Sequence, residues 1–194
     1  SHPLMFDTDG DALRDGAEAG FGTSPVTRDF DRDGIYDGLD TPIVTAFSDT
    51  MEAGTAGWTT SGLWHQVTEP PQLANSATHS WWYGQDSTVD FDTGATNSGY
   101  LRMVNSITVP EAFPQLQFFG WYETETFGTD FDQRWIQVYV NGQWVHYAQL
   151  SGDPMNSWNF YTIDLAEFAV QSIRIGFYFD TIDDVLNTFE GWYV

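Results

Sequence analysis

The 194-residue chain contains no cysteine and no lysine, and its six basic residues are all arginine: Arg14, Arg28, Arg32, Arg102, Arg134 and Arg174. Without cysteine there are no disulfides and no thiolate metal sites. An extracellular location stays open, because bound calcium can stiffen a secreted chain instead. Against those six cations stand 28 Asp and Glu, a formal net charge of -22. Such a field repels phosphate backbones and anionic lipid, so nucleic acid is not an expected partner. No apolar run approaches a membrane span, and no transmembrane segment is expected. The chain opens "SHPLMF" with neither an initiator Met nor a signal-peptide pattern, as expected of a processed or excised piece. Only four histidines occur (His2, His65, His79, His146), and HExxH, GxSxG and phosphate-cradling glycine loops are missing. Most hydrolytic machinery is thereby excluded, and no catalytic residue is assigned.

What the chain does have is aromatic bulk, 17% of its residues, with nine Trp, nine Tyr and fifteen Phe. That is far more than a disordered chain carries, so most of the sequence is expected to fold. The texture changes near Thr41-Pro42. Residues 1–42 hold ten acids and few large apolar side chains, too few for a conventional core. Residues 43–194 read as short runs of Val, Ile, Thr, Tyr, Phe and Trp between Gly, Pro, Asn and Asp, the pattern of an antiparallel all-β domain.

The clearest hairpin is "RWIQVYVNGQWVHYAQL", where Asn141-Gly142 supplies the two positive-φ positions of a type I′ turn. Further strands are expected in "IVTAFS", "GWTTSGLWHQ", "SWWYG", "GYLRMVNSITV", "QLQFFGWYETE", "NFYTIDL" and "QSIRIGFYFDT", about nine in all, while "DLAEFAV" allows one or two helical turns. Two packed antiparallel sheets follow, with a jelly roll as the expected topology.

In the first region "DTDGDALRDGAE" (7–18) and "DFDRDGIYDGLD" (29–40) repeat one acidic spacing. Calcium takes six to eight oxygens, and a twelve-residue loop with acids at places 1, 3, 5, 9 and 12 and a carbonyl at 7 surrounds it. The first window would supply Asp7, Asp9, Asp11, the Leu13 carbonyl, Asp15 and Glu18. The second would supply Asp29, Asp31, Asp33, the Ile35 carbonyl, Asp37 and Asp40. Place 6 is Gly34 in the second window but Ala12 in the first, and place 12 is the shorter Asp40 in the second. Two or more calcium ions are expected, and with them folding and ion binding become one event. A solvated acidic linker is the other reading. Solubility in strong salt would explain acids elsewhere but not this spacing.

These windows, with the intervening "GTSP" at 22–25, resemble the bacterial form of the thrombospondin type 3 repeat over residues 5–42. The resemblance implies a calcium-filled spacer in a secreted or surface protein. Residues 47–194 resemble the MAM-like jelly-roll module that accompanies immune-inhibitor-A-type secreted peptidases and surface proteins. The matching pieces are "FSDTMEAGTAGWTTSGLWH", "SWWYG", "NSGYLRM", the hairpin, "SWNFYTIDL", "IRIGFYFDT" and "FEGWYV". That family commonly joins acids near the first and last strands through calcium, which implies Asp49 and Glu52 with Asp183 or Asp184. It usually continues past "GWYV", which implies a truncated sequence or a sheet edge completed by another chain.

The fold class read from these features is an antiparallel jelly-roll β-sandwich (43–194) preceded by an irregular calcium-binding repeat segment (1–42). The function expected is a non-catalytic calcium-binding structural or adhesion module outside a prokaryotic cell or on its surface. Such units would assemble through strand addition into a fibre, with a glycan or surface protein as partner. One alternative is an accessory domain of a secreted peptidase. Another is a carbohydrate-binding module, with "SWWYG" as its platform and Trp82 as the ring to test; core packing is the competing reading of the same residues. Glu123, Glu125, Asp130 and Asp132 offer a carboxylate pair for glycoside hydrolysis or one more calcium site, although such clusters arise by chance among 28 acids. His146 is expected to pack on the sheet surface.

Overall fold

A computed structural model describes residues 7–13, 15–16, 18, 24–30, 36–40, 45–68, 75, 78–111, 114–125 and 130–194. The chain divides into two compact units, Ser1–Val44 and Thr45–Val194.

In the first unit the described backbone is held by turns and by side-chain carboxylates. Asp15, Gly16 and Glu18 are helical. Thr27 N–H donates to the Ser24 carbonyl at 3.0 Å, closing a turn around Pro25. Helix α1 covers Asp37–Asp40.

The second unit is an antiparallel β-sandwich. Its strands are β1 (Trp58–Thr60), β2 (Trp64–Thr68), β3 (His79–Tyr83), β4 (Ser98–Met103), β5 (Ile107–Thr108), β6 (Gln115–Glu123), β7 (Gln133–Val140), β8 (Gln143–Leu150), β9 (Asn159–Asp164), β10 (Ser172–Asp180) and β11 (Gly191–Tyr193). One sheet runs β1-β4-β10-β7-β8, with β5 also pairing β10, and the other runs β2-β3-β11-β6-β9. The chain passes repeatedly between the two layers, as a jelly roll does.

Alternation of side chains builds the core. Leu101, Met103, Ile136, Val138, Ile173, Ile175, Phe177 and Phe179 point inward from one sheet and meet Trp64, Trp81, Tyr83, Tyr122 and Trp192 from the other. Trp192 packs edge-on against both Trp64 (5.3 Å) and Phe177 (5.8 Å), and Tyr83 lies 4.6 Å from Phe179. Each such ring contributes about 1.5–3 kcal/mol through burial. Around this interior, Asn141 (φ 52°) and Gly142 (φ 85°) make the expected I′ turn of the β7–β8 hairpin.

Four expectations need correction. "GYLRMVNSITV" is not one strand but two, β4 ending at Met103 and the short β5 beginning at Ile107. "GWTTSGLWHQ" is not one strand: Gly62 (φ +63°) bends the chain from β1 in one sheet to β2 in the other, where a β-carbon would lie 2.5 Å from the Ser98 carbonyl oxygen. Within "IVTAFS", residues 45–48 are not in a strand, and Phe47 instead packs edge-on against Trp58 at 6.1 Å. Ile43 and Val44 lie outside the described residues. The open edge expected at "GWYV" is absent as well. β11 is paired on both sides, by β3 and by β6, and Val194 exchanges two 2.9 Å backbone hydrogen bonds with Trp81.

Gly191 makes this central insertion possible. Its φ is +105°, and a β-carbon there would run into the Tyr83 carbonyl oxygen. Gly191→Ala is expected to cost about 3 kcal/mol and to lower the melting temperature by roughly 6–12 °C in a thermal melt.

Candidate functional site

Among the described residues, the two acidic windows meet in one place. Carboxylate oxygens of Asp7, Asp9 and Asp11 lie within 4.8 Å of one another, and so do those of Asp11, Glu18 and Asp37. Asp37 thus crosses from the second window into a cluster with the first. Asp11 Oδ1 accepts from Leu13 N–H (2.7 Å), and its Oδ2 accepts from Gly38 N–H (3.2 Å). A β-carbon on Gly38 would strike the Asp11 carbonyl, so only glycine allows this approach. Asp37 Oδ1 accepts from Phe30 N–H (2.7 Å), and Arg28 Nε–H donates to the Asp9 carbonyl.

Several polar atoms in this cluster have no donor. Glu18 is 0% exposed, and among the described residues neither of its carboxylate oxygens has a hydrogen-bond partner; both oxygens of Asp9 and Oδ2 of Asp37 share this condition. Burial raises the Glu18 carboxyl to about 7, and the neighbouring Asp9, Asp11, Asp15 and Asp37 charges push the same way. Buried oxygens that converge without donors are the chemistry a hard divalent cation satisfies, so the residues present fit calcium.

Other nominated residues lie elsewhere. Asp15 turns to Thr8, accepting from its N–H at 2.7 Å and its hydroxyl at 2.6 Å, and joins neither cluster. Asp29 is in neither cluster among the described residues. Asp31, Asp33 and Ile35 lie outside the described residues, and Asp40 is placed only by its backbone at the end of α1.

Asp49, Glu52 and Asp183 form no carboxylate triplet among the described residues. Each is engaged in holding local backbone. Asp49 accepts from Met51 N–H and Trp58 Nε1–H, both at 2.8 Å. Glu52 accepts from the N–H groups of Thr78 (2.9 Å) and His79 (2.8 Å) and pairs with His79 Nδ1 at 2.7 Å. The Thr78 N–H bond, then the His79 contacts, pull its carboxyl down to about 2. Asp183 Oδ1 accepts from Val185 N–H, and its carbonyl accepts from Thr181 and Asn187.

"SWWYG" is not an exposed platform. Trp81 and Tyr83 face the core, while Trp82 (1% exposed) is stacked on Tyr193 at 5.5 Å and packed with Trp121 and Trp158 in a second cluster. Trp82 Nε1–H donates to the Glu190 carbonyl, and Tyr193 O–H donates to Glu190 Oε1. Trp82, Trp121 and Tyr193 are therefore capped, while Phe119 and Phe160, paired across β6 and β9 on the same sheet, stay exposed.

The outer face of the β1-β4-β10-β7-β8 sheet is different. Tyr100, Arg102, Trp135, Gln137, Tyr139, Trp144, His146, Arg174 and Tyr178 come from β4, β7, β8 and β10, and except for Gln137 they stay half-buried or exposed. The Arg102 guanidinium lies 4.0 Å from the Tyr100 ring centre and 4.4 Å from that of Trp144, and donates twice to Gln137 Oε1 (2.9 and 2.7 Å). Arg174 stacks on Tyr139 at 3.9 Å. His146 sits between Trp135 (4.8 Å) and Tyr178 (4.9 Å), the surface-packing role expected for it. Gly176 leaves room at the centre, where a β-carbon would lie 2.8 Å from Arg102 and 3.0 Å from Trp144. The period-2 alternation in "RWIQVYV" carries this face in the sequence, but the four-strand row does not appear until the strands are paired.

At the end of this face, where β7 starts and β8 ends, lies a cleft of about 510 Å³. Arg134 lies in its wall, 3% exposed and 3.4 Å from the Tyr122 ring centre, with donors directed to Tyr161, Leu150 and Asp153. Asp132 (4% exposed, φ 46°) accepts from Glu125 N–H through Oδ2 at 2.7 Å, while Oδ1 has no partner among the described residues. Glu123, Glu125, Asp130 and Asp132 form no three-carboxylate cluster among the described residues.

No family model matches the chain, and no curated protein matches it. Among solved structures it is similar to TmCBM61 in complex with β-1,4-galactotriose, at 13% identity over 71% of this chain and 82% of that one, with a TM-score of 0.45. It is also similar to the enzymatically active domain of bacteriophage CBA120 tailspike protein 4, at 13% identity, 76% and 20% coverage and a TM-score of 0.41. A third structure, of carbohydrate-binding modules of the β-sandwich superfamily with promiscuous specificity, gives 16% identity, 72% and 58% coverage and a TM-score of 0.37.

Burial raises the Asp132 carboxyl from 3.8 to about 7. The folded protein then holds this proton more tightly than the unfolded chain does. Its stabilising contribution is complete below about pH 4 and is lost as the pH rises through 7. Asp132→Asn, which cannot ionise, is expected to melt a few degrees above the wild type at pH 8, with the gap closing toward pH 4 in calorimetric scans.

Proposed function

We propose that the second unit is a non-catalytic carbohydrate-binding module and that its binding surface is the open outer face carrying Trp135, Trp144 and Tyr178. The observation that carries this reading is the row of accessible rings Trp135, Tyr139, Trp144 and Tyr178 held beside Arg102, Arg174 and His146 on one outer face. On the other outer face Trp82, Trp121 and Tyr193 are buried, and the exposed rings are the Phe119–Phe160 pair, which carry no polar group.

A sugar ring presents weakly positive C–H bonds on its flat side, which suit the negative face of an aromatic ring, and hydroxyls at its rim. The rings here are already locked by stacking on Arg102, Arg174 and His146, so little side-chain freedom is lost on binding. Nucleobases stack on similar surfaces, but a net charge of -22 repels the phosphates that accompany them. The same field disfavours polyanionic glycans, leaving uncharged polysaccharide as the ligand class. In affinity electrophoresis through gels containing hydroxyethylcellulose, xylan, mannan or β-1,4-galactan, retardation by at least one polymer is expected. Trp144→Ala is expected to weaken it about tenfold or more. No retardation by any neutral polymer, or retardation indifferent to Trp144, refutes the reading.

A second reading concerns the first unit and is favoured by Glu18. The Asp11–Glu18–Asp37 and Asp7–Asp9–Asp11 clusters hold calcium, and the ion orders a segment that has little apolar core. This fits the resemblance to thrombospondin type 3 repeats and a place outside the cell, where calcium is plentiful. Titration calorimetry is expected to show calcium binding that Glu18→Gln weakens at least about tenfold. Equal affinity in the variant removes Glu18 from the site.

A further inference from the structure

The carbohydrate face does not stop at Trp135. Trp135 Nε1–H donates to Gln133 Oε1 at 2.9 Å, and Gln149 lies opposite Trp135 in the β7–β8 register. Gln133 and Gln149 are also lining residues of the cleft at the strand ends, so face and cleft are one continuous surface. Beyond them the far wall comes from the other sheet, through Tyr122 at the end of β6 and then Thr124 and Glu125. A chain lying on the open face and running toward the strand ends meets that wall.

The cleft's size and lining define what fits. Its volume of about 510 Å³ falls inside the roughly 300–1,000 Å³ of small-molecule sites. Arg134 is buried and its donors point to protein acceptors, so it offers no open guanidinium to a carboxylate or phosphate. Asp132, a cleft-lining residue, brings a buried carboxylate oxygen that accepts from nothing among the described residues. A neutral, hydroxyl-rich group supplies the missing donor.

We propose that this cleft is the terminal subsite of the glycan site: it receives the sugar at a chain end, and Asp132 Oδ1 accepts a hydrogen bond from one of that sugar's hydroxyls. The proposal rests on the carbohydrate-binding reading of the adjoining face. It makes the module a reader of chain ends as well as of chain surfaces.

The test uses the full chain with neutral trisaccharides (cellotriose, xylotriose, mannotriose, β-1,4-galactotriose) and the corresponding long polymers, compared by calorimetry and affinity electrophoresis. Trisaccharides are rich in ends and long polymers poor in them. Asp132→Asn and Asp132→Ala are expected to lower trisaccharide affinity at least about tenfold relative to polymer affinity, whereas Trp144→Ala lowers both together. Melting curves confirm that each variant is folded. If both Asp132 variants bind trisaccharides as the wild type does, or lose polymer and trisaccharide in equal proportion, the terminal subsite is refuted while the face stands. If the wild type binds no neutral saccharide, the carbohydrate reading falls and the subsite with it.

Discussion

The second unit depends on aromatic rings interleaved between its two sheets. Trp64, Tyr83, Phe177, Phe179 and Trp192 contact one another edge-on or tilted, with centroids 4.6 to 5.8 Å apart. Such arrangements set the negative face of one ring against the positive edge of the next, so they fix orientation as well as bury area. A chain with this much acid has few ways to remain compact, and concentrating large rings in one layer is how this one does so. Because the rings fix the spacing of the sheets, they also fix which residues of each strand face outward, and the accessible outer face follows from that alternation.

Charge is handled differently in the two units. In the second, acids are mostly distributed as local acceptors: Asp49, Glu52 and Asp183 each hold backbone or indole N–H groups. In the first, the acids converge. Glu18 and Asp9 lack donors, and like charges brought together in a poorly solvated place repel strongly. The same residue type therefore fastens local N–H groups in one unit and gathers into carboxylate clusters in the other. Local spacing alone does not distinguish the roles; the presence of nearby N–H donors does.

How much was legible follows from the range of the interactions concerned. Asn141-Gly142 and the alternation around it report local backbone preference, and the hairpin appears where they place it. The all-β architecture rests on many such short signals, and it too was readable. Gly62 looked like an interruption inside one strand because its reason, the Ser98 carbonyl beneath it, lies 36 residues away. Trp82 and Trp135 are equally aromatic and equally strand-borne; only the arrangement of Trp158, Trp121 and Glu190 over the first determines that it is capped. The repeated acidic spacing was visible in the sequence, but the crossing of Asp37 into the first cluster depends on a backbone contact at Gly38 that no spacing rule contains.

The placement of β11 has a kinetic consequence. Its partner Tyr83 precedes Trp192 by more than a hundred residues, and the two flanking strands cannot meet each other across the gap it occupies. Closing so large a loop carries an entropic cost before any contact compensates it, so the β2-β3-β11-β6-β9 layer should be the slow half of the molecule to assemble. Until then β3 and β6 present unpaired edges to neighbouring chains, and the crowding during that interval, more than final stability, sets how much protein reaches the native state.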